Sequence, residues 1–253
     1  MRSRKRPTKR PSDTPKGVRP TPVTATAERP DDPRSQWQGA FITRLDFQDG
    51  PTLPVKVIER GLRHAQHWER VVQPHIREQA GRIDAAWNWP VYFLRGIVLE
   101  KLSKRELLYL QLVAESANGA LFPIGQVLLT CGFPFLGTNE ECVFLWYLAS
   151  APAGALRYAG LPGQPSRLLR CLVDIGIQVS YADGQEGRMI LHADPSGTPA
   201  QREALKRQYL AIGLDLVPDD HLKISTFRRN DDRYFLADAT IAWEMTQQLR
   251  ALR

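Results

Sequence analysis

The sequence predicts an α/β fold of the α+β type, a mixed, mostly antiparallel sheet flanked by helices on both faces, behind a disordered N-terminal tail. Three observations predict it. Short runs of period two alternate with runs of helical period. Two long apolar runs flank Asn118-Gly119, a tight-turn signal that makes them an antiparallel pair. Finally, the first 36 residues are nearly free of large apolar side chains, so they cannot offset their own ordering entropy.

That tail, residues 1–36, is rich in Pro, Thr and Arg and carries ten Lys/Arg against four Asp/Glu, so most of the formal charge of +7 lies there. The remaining residues 37–253 are nearly neutral and are expected to form a single domain. A basic groove across the folded body is therefore not expected. Nucleic acid is a partner open to the tail, through "RSRKRPTKRP", and salt-sensitive binding lost on deleting 1–36 is its signature.

The elements follow in order. "FITRLDF" (41–47) alternates as a strand, and 55–80 carries apolar residues at helical spacing, with Pro74 placed to break it. A second helix is expected over 90–104, after "WNW". "ELLYLQLVAES" (106–116) and "LFPIGQVLLTCGF" (121–133) form the hairpin. Residues 116–139 lack charge, but Pro123, Gly125, Gly132, Pro134 and Gly137 punctuate them too often for a membrane span. "ECVFLWYLASA" (141–151) is apolar throughout, as a strand covered on both faces should be. A helix follows over 166–181, then a strand in "GRMILHA" (187–193). The next helix, 198–213, has Thr198 to cap it, Pro199 at its first position and Gly213 at its end. Strands in "HLKISTF" and "RYFLA" and a closing helix capped by Asp238 complete the chain.

Cys131, Cys142 and Cys171 are odd in number, lack a CxxC spacing and sit among apolar residues. They read as core side chains of a reducing, cytoplasmic compartment, and no metal site is expected.

Between the strand at 141–151 and the following helix stands "GLPGQPSRLL" (160–169), two glycines and two prolines before a helix start. A helix start offers unpartnered N–H groups and a partial positive charge, and Gly160 and Gly163 let an anion approach them. Gln164, Ser166, Arg167 and Leu168 continue this cradle, with Arg167 or Arg170 able to pair with phosphate.

Three stretches together resemble the GNAT N-acetyltransferases, over about residues 40–236. "LYLQLVAESANGALFPIGQVLLT" is similar to the central hairpin of that family, "GQPSRLL" to its diphosphate loop, and "YLAIGL" (209–214) to the Tyr-x-x-x-Gly-Phe ending of its fourth helix. Two positions depart from the loop pattern: Gly160 stands at the Gln/Arg position, and Pro165 at the second glycine.

The resemblance implies acetyl-CoA, or another acyl-CoA, as cofactor, and transfer of its acyl group to an amine-bearing acceptor, a small molecule or a protein. It implies an oxyanion donor and a channel for the cofactor arm near Leu148, Ala149 and Ser150. It makes Tyr209 the proton donor. His192 and Glu141 are the candidate bases, and Asp194, Asp232 and Arg233 border the acceptor. Three readings follow from these residues: an acyltransferase, a GNAT-like binding protein without turnover, and a nucleic-acid-associated protein working through its tail.

Overall fold

The long hairpin places the rest of the sheet. In a computed structural model, residues 41–48, 50–225 and 228–253 are described, all within one compact unit. The expectations for the tail lie outside these residues. β3 (Leu107–Glu115) and β4 (Leu121–Pro134) pair antiparallel around the Asn118-Gly119 turn. β5 (Glu141–Ser150) returns along the other side of β4, again antiparallel.

β1 (Arg44–Leu45) and β2 (Leu53–Glu59) extend the sheet beyond β3. On the other side β6 (Met189–His192) pairs with β5 in parallel, and β10 (Tyr234–Ala237) and β7 (Asp215–Leu216) follow antiparallel. The order is β1-β2-β3-β4-β5-β6-β10-β7, eight strands with one parallel pair. A separate ribbon joins β8 (Lys223–Ser225) to β9 (Arg228–Arg229).

Helices cover both faces, as expected. α1 (Leu62–Val71), α2 (Gln73–Arg77) and α3 (Trp89–Ser103) lie on one face. There Trp68, Trp89 and Tyr109 are buried around Gln126. α5 (Leu168–Ala182) lies on the other face and is buried from Cys171 to Ser180. Two glycines let it sit close: a Cβ on Gly125 would come 2.6 Å from Leu172, and one on Gly176 would come 2.8 Å from Met189. α6 (Pro199–Ala211) packs beside it through Tyr209 on Phe235. α7 (Ala239–Gln248) closes over α5, and Arg253 forms an ion pair with the buried Asp174 at 2.6 Å. The architecture is the mixed, mostly antiparallel sheet with helices on both faces that the sequence predicts.

Four local expectations need correction. Residues 53–59 form strand β2, not the front of a helix, because "VKVIE" alternates with period two and Gly61 separates it from α1. In "FITRLDF" only Arg44–Leu45 form a strand, with a single further bridge from Phe47 to Pro165. An additional helix, α4 (Ala153–Tyr158), occupies the space between β5 and the glycine-proline loop. β7, at 215–216, was not expected at all. The three cysteines are buried. No described helix is long and apolar enough to cross a membrane.

Candidate active site

β5 and β6 stay paired only from Val143 to Leu145. Beyond that β5 runs on to Ser150 while β6 ends at His192, so the two strands part and one edge of Trp146–Ser150 is left without a neighbouring strand. The register of β5 against β4 shifts at the same place, where Leu128 faces Tyr147 and Leu129 faces Leu145, leaving Trp146 as an extra residue. Such a bulge re-aims side chains. Leu145 approaches Gly176 of α5, whereas Tyr147 stacks on Tyr92 of α3 with ring centroids 4.1 Å apart.

A cavity of about 740 Å³ opens in the wedge. Its floor is Phe144–Ser150 of β5, and His192 and Asp194 border it from the end of β6. The inner face of α6 supplies Leu205, Gln208 and Tyr209, and Leu169 brings in the first turn of α5. The far wall comes from Arg82, Asp84, Trp87, Tyr92 and Arg95. Arg82 pairs with Asp84 and donates to the Ser150 carbonyl at 3.1 Å, which pins the open end of β5.

The cavity gathers Leu148, Ala149, Ser150, His192, Asp194 and Tyr209 from separate parts of the sequence. Tyr209 is buried, and burial first, then the charges of Asp84 and Asp194, raise its pKa well above the usual phenol range. His192 stacks on Tyr234 at 4.3 Å, and its Nε2 lies 3.2 Å from both Asp231 oxygens. Burial lowers the His192 pKa more than Asp231 raises it. Asp194 accepts from the Trp87 indole N–H and from the Ser196 amide.

Other candidates lie elsewhere. Glu141, at the opposite end of β5, borders a separate open hollow with Arg105, Glu106 and Asp183. Asp232 is exposed in the turn before β10 with φ of 61°, and Arg233 is bonded to Asp231; neither borders the cavity.

The glycine-proline loop is tied down by 46–48. Pro165 is buried, the Ser166 amide donates to the Asp46 carbonyl at 2.7 Å, and the Gln48 amide donates to the Gln164 carbonyl at 3.1 Å. Gly160 has φ of 73° and presses against Ala117 of the hairpin turn. Gly163 and Gln164 are half-buried, Arg167 is exposed in the left-handed region at the helix start, and Leu168 is buried. The amides of Leu168, Leu169 and Arg170 open the helix and have no acceptor within it.

Sequence reasoning missed the wall opposite β5. Arg82, Asp84, Tyr92 and Arg95 come from a short 3₁₀ turn and the start of α3, some 60 residues before the strand they face. Arg228 also borders the cavity, and its guanidinium lies 4.5 Å from the Trp146 ring centroid.

No protein-family model and no curated protein matches the sequence. Among solved structures the chain is similar to a GNAT-family acetyltransferase from Staphylococcus aureus Mu50, with 13% identity, 73% of this chain and 99% of that chain covered, and a TM-score of 0.43. It is also similar to the PaiA N-acetyltransferase from Thermoplasma acidophilum in complex with coenzyme A, at 12% identity and a TM-score of 0.41, covering 73% and 98% of the two chains. A third similar structure is apo FdhC, a nucleotide-linked sugar GNAT, at 11% identity and a TM-score of 0.44, covering 84% and 98%.

Proposed function

We propose that this chain is an acyl-CoA-dependent N-acyltransferase. The observation that carries the proposal is the parting of β5 from β6, which leaves one edge of Trp146–Ser150 without a neighbouring strand along a cavity that reaches the first turn of α5.

The residues fit such a ligand. The open strand edge at Leu148, Ala149 and Ser150, whose last carbonyl already accepts from Arg82, suits the amides of the pantetheine arm. The open amides of Leu168–Arg170, with Arg167 and Arg170 beside them, suit a diphosphate. Gly163 and Gln164 flank that seat, whereas Ser166 gives its amide to Asp46 and can offer only its hydroxyl.

Bound acyl-CoA supplies an activated thioester carbonyl to an acceptor amine. Tyr209, like any phenol, carries its proton at neutral pH, and burial raises its pKa further, so it can donate to a nearby leaving group. His192 is neutral there. Its Nε2–H points at Asp231, which leaves Nδ1 as the basic nitrogen for taking a proton. Arg233 acts through Asp231 by holding it as a carboxylate. Asp194, at the same cavity, is positioned for the acceptor.

The test is calorimetric titration with coenzyme A. Saturable binding weakened by Arg167→Glu is expected, and no heat at high micromolar ligand overturns the proposal. One observation favours a second reading: Pro165 and Ser166 are packed against 46–48, so part of the loop is closed. A binding protein without turnover would bind coenzyme A yet release no free thiol from acetyl-CoA above hydrolysis with any amine.

A further inference from the structure

The charges around the cavity do not cancel. Of the three arginines bordering it, Arg82 is already neutralised by Asp84. Arg95 and Arg228 meet no carboxylate among the described residues. Arg228 lies over Trp146 and Phe144 and donates to the Tyr234 hydroxyl at 3.3 Å, contacts that orient the guanidinium without compensating its charge. Arg95 and Arg228 both lie close enough to Tyr147 to lower its pKa, against a larger upward effect of burial.

Asp194 is the remaining carboxylate at the cavity. Its two oxygens accept only neutral N–H groups, from Trp87 and Ser196. A carboxylate oxygen accepts two hydrogen bonds, so each has capacity for one more donor. The cavity thus presents one uncompensated anion and two uncompensated guanidinium groups, around the stacked rings of Tyr92 and Tyr147. Guanidinium groups prefer planar or tetrahedral oxyanions, which they grip with paired N–H groups.

We infer that the acceptor is an amine bearing an anionic oxygen group, carboxylate or phosphate, with Asp194 facing the ammonium and Arg95 and Arg228 facing the anion. The inference rests on the acyltransferase reading for the word acceptor, but the binding preference itself is independent of coenzyme A.

Matched pairs test it. Tyrosine against tyramine differs by a carboxylate, and glucosamine 6-phosphate against glucosamine by a phosphate. Calorimetry on the full chain, without cofactor, should give at least one anionic member binding about tenfold tighter than its neutral partner. Arg95→Gln and Arg228→Gln should each bring that ratio toward one, with Arg228→Lys retaining part of it. Asp194→Asn should weaken both members of a pair alike. Equal or tighter binding of both neutral members, no binding by any of the four, or a ratio unchanged in both glutamine variants overturns the inference. Arg95 is exposed, so its variant reads the ratio even where Arg228→Gln disturbs the packing on Trp146. Coenzyme A titrated into the same preparation separates the two proposals: failure there strikes the acyl carrier and leaves the anion preference to be decided by the pairs.

Discussion

Tyr209 carries the sharpest division between chemistry and packing. It is buried against Phe235, near two carboxylates that keep its proton in place. Tyr209→Phe keeps the ring and removes only the hydroxyl. Turnover should fall by about a hundredfold, the lower end for loss of a proton donor, with little change in denaturation midpoint. An unchanged rate would make Tyr209 a packing residue. His64 makes a second prediction, on stability. Burial, with Arg60 and His67 adding to it, lowers its pKa to about 4. Its Nδ1 also faces the Gly61 amide at 3.5 Å, which suits the neutral ring. The unfolded chain therefore binds more protons than the native one between about pH 6.5 and 4. His64 favours folding above that window, and its contribution is lost as pH falls through it. Asp174, raised by burial to about 6, pulls the other way over part of the range. His64→Gln should isolate the effect by flattening the fall in melting temperature below pH 6.5.

The diphosphate seat proposed at α5 depends on how neighbouring elements hold the loop before it. Gly160 has the left-handed conformation that L side chains rarely adopt, and a Cβ there would come 2.7 Å from the Ala117 Cβ. Gly160→Ala should cost about 1–3 kcal/mol in urea denaturation and weaken coenzyme A binding more than Gly184→Ala, which is exposed, has φ of 75° and does not border the cavity. This contact joins the loop to the β3–β4 turn, two segments legible in the sequence separately but not as neighbours. Legibility followed locality in general. α6 could be read because Thr198, Pro199 and Gln201 make its start in four consecutive residues. The β3–β4 hairpin could be read because Asn118-Gly119 lies inside it. β2 was hidden because "VKVIE" runs straight into an apolar helix, so the two periods overlap. α4 was hidden because Pro152, Gly154 and Gly160 resemble loop punctuation. Tyr209 was named from the resemblance at "YLAIGL", and His192 and Asp194 because they lie at the end of a readable strand. Arg82, Arg95 and Arg228 reach the cavity only through tertiary packing, which no local pattern records.

At the scale of the whole molecule, α5 packs against β4, β5, β6 and α7, and its buried Asp174 pairs with Arg253. Asp174 is 1% exposed, and both of its oxygens accept from Arg253 Nη2, at 2.7 and 2.6 Å. Arg253→Met should destabilise the fold by about 3 kcal/mol because it strands a buried carboxylate, and Asp174→Asn in the same chain should recover much of the loss. Urea titrations of the two single variants and the double variant read the coupling directly. The sheet itself offers few opportunities for unwanted growth. Its outermost strands are two residues long at either rim, Arg44–Leu45 and Asp215–Leu216. At these two rims an incoming chain would find only two residues of ladder to copy, one way folded proteins avoid becoming templates for fibrils, and the longer open edge of Trp146–Ser150 lies along the cavity. Turbidity in stored samples should accordingly track the rate at which molecules unfold, and seeds made from native protein should not accelerate it.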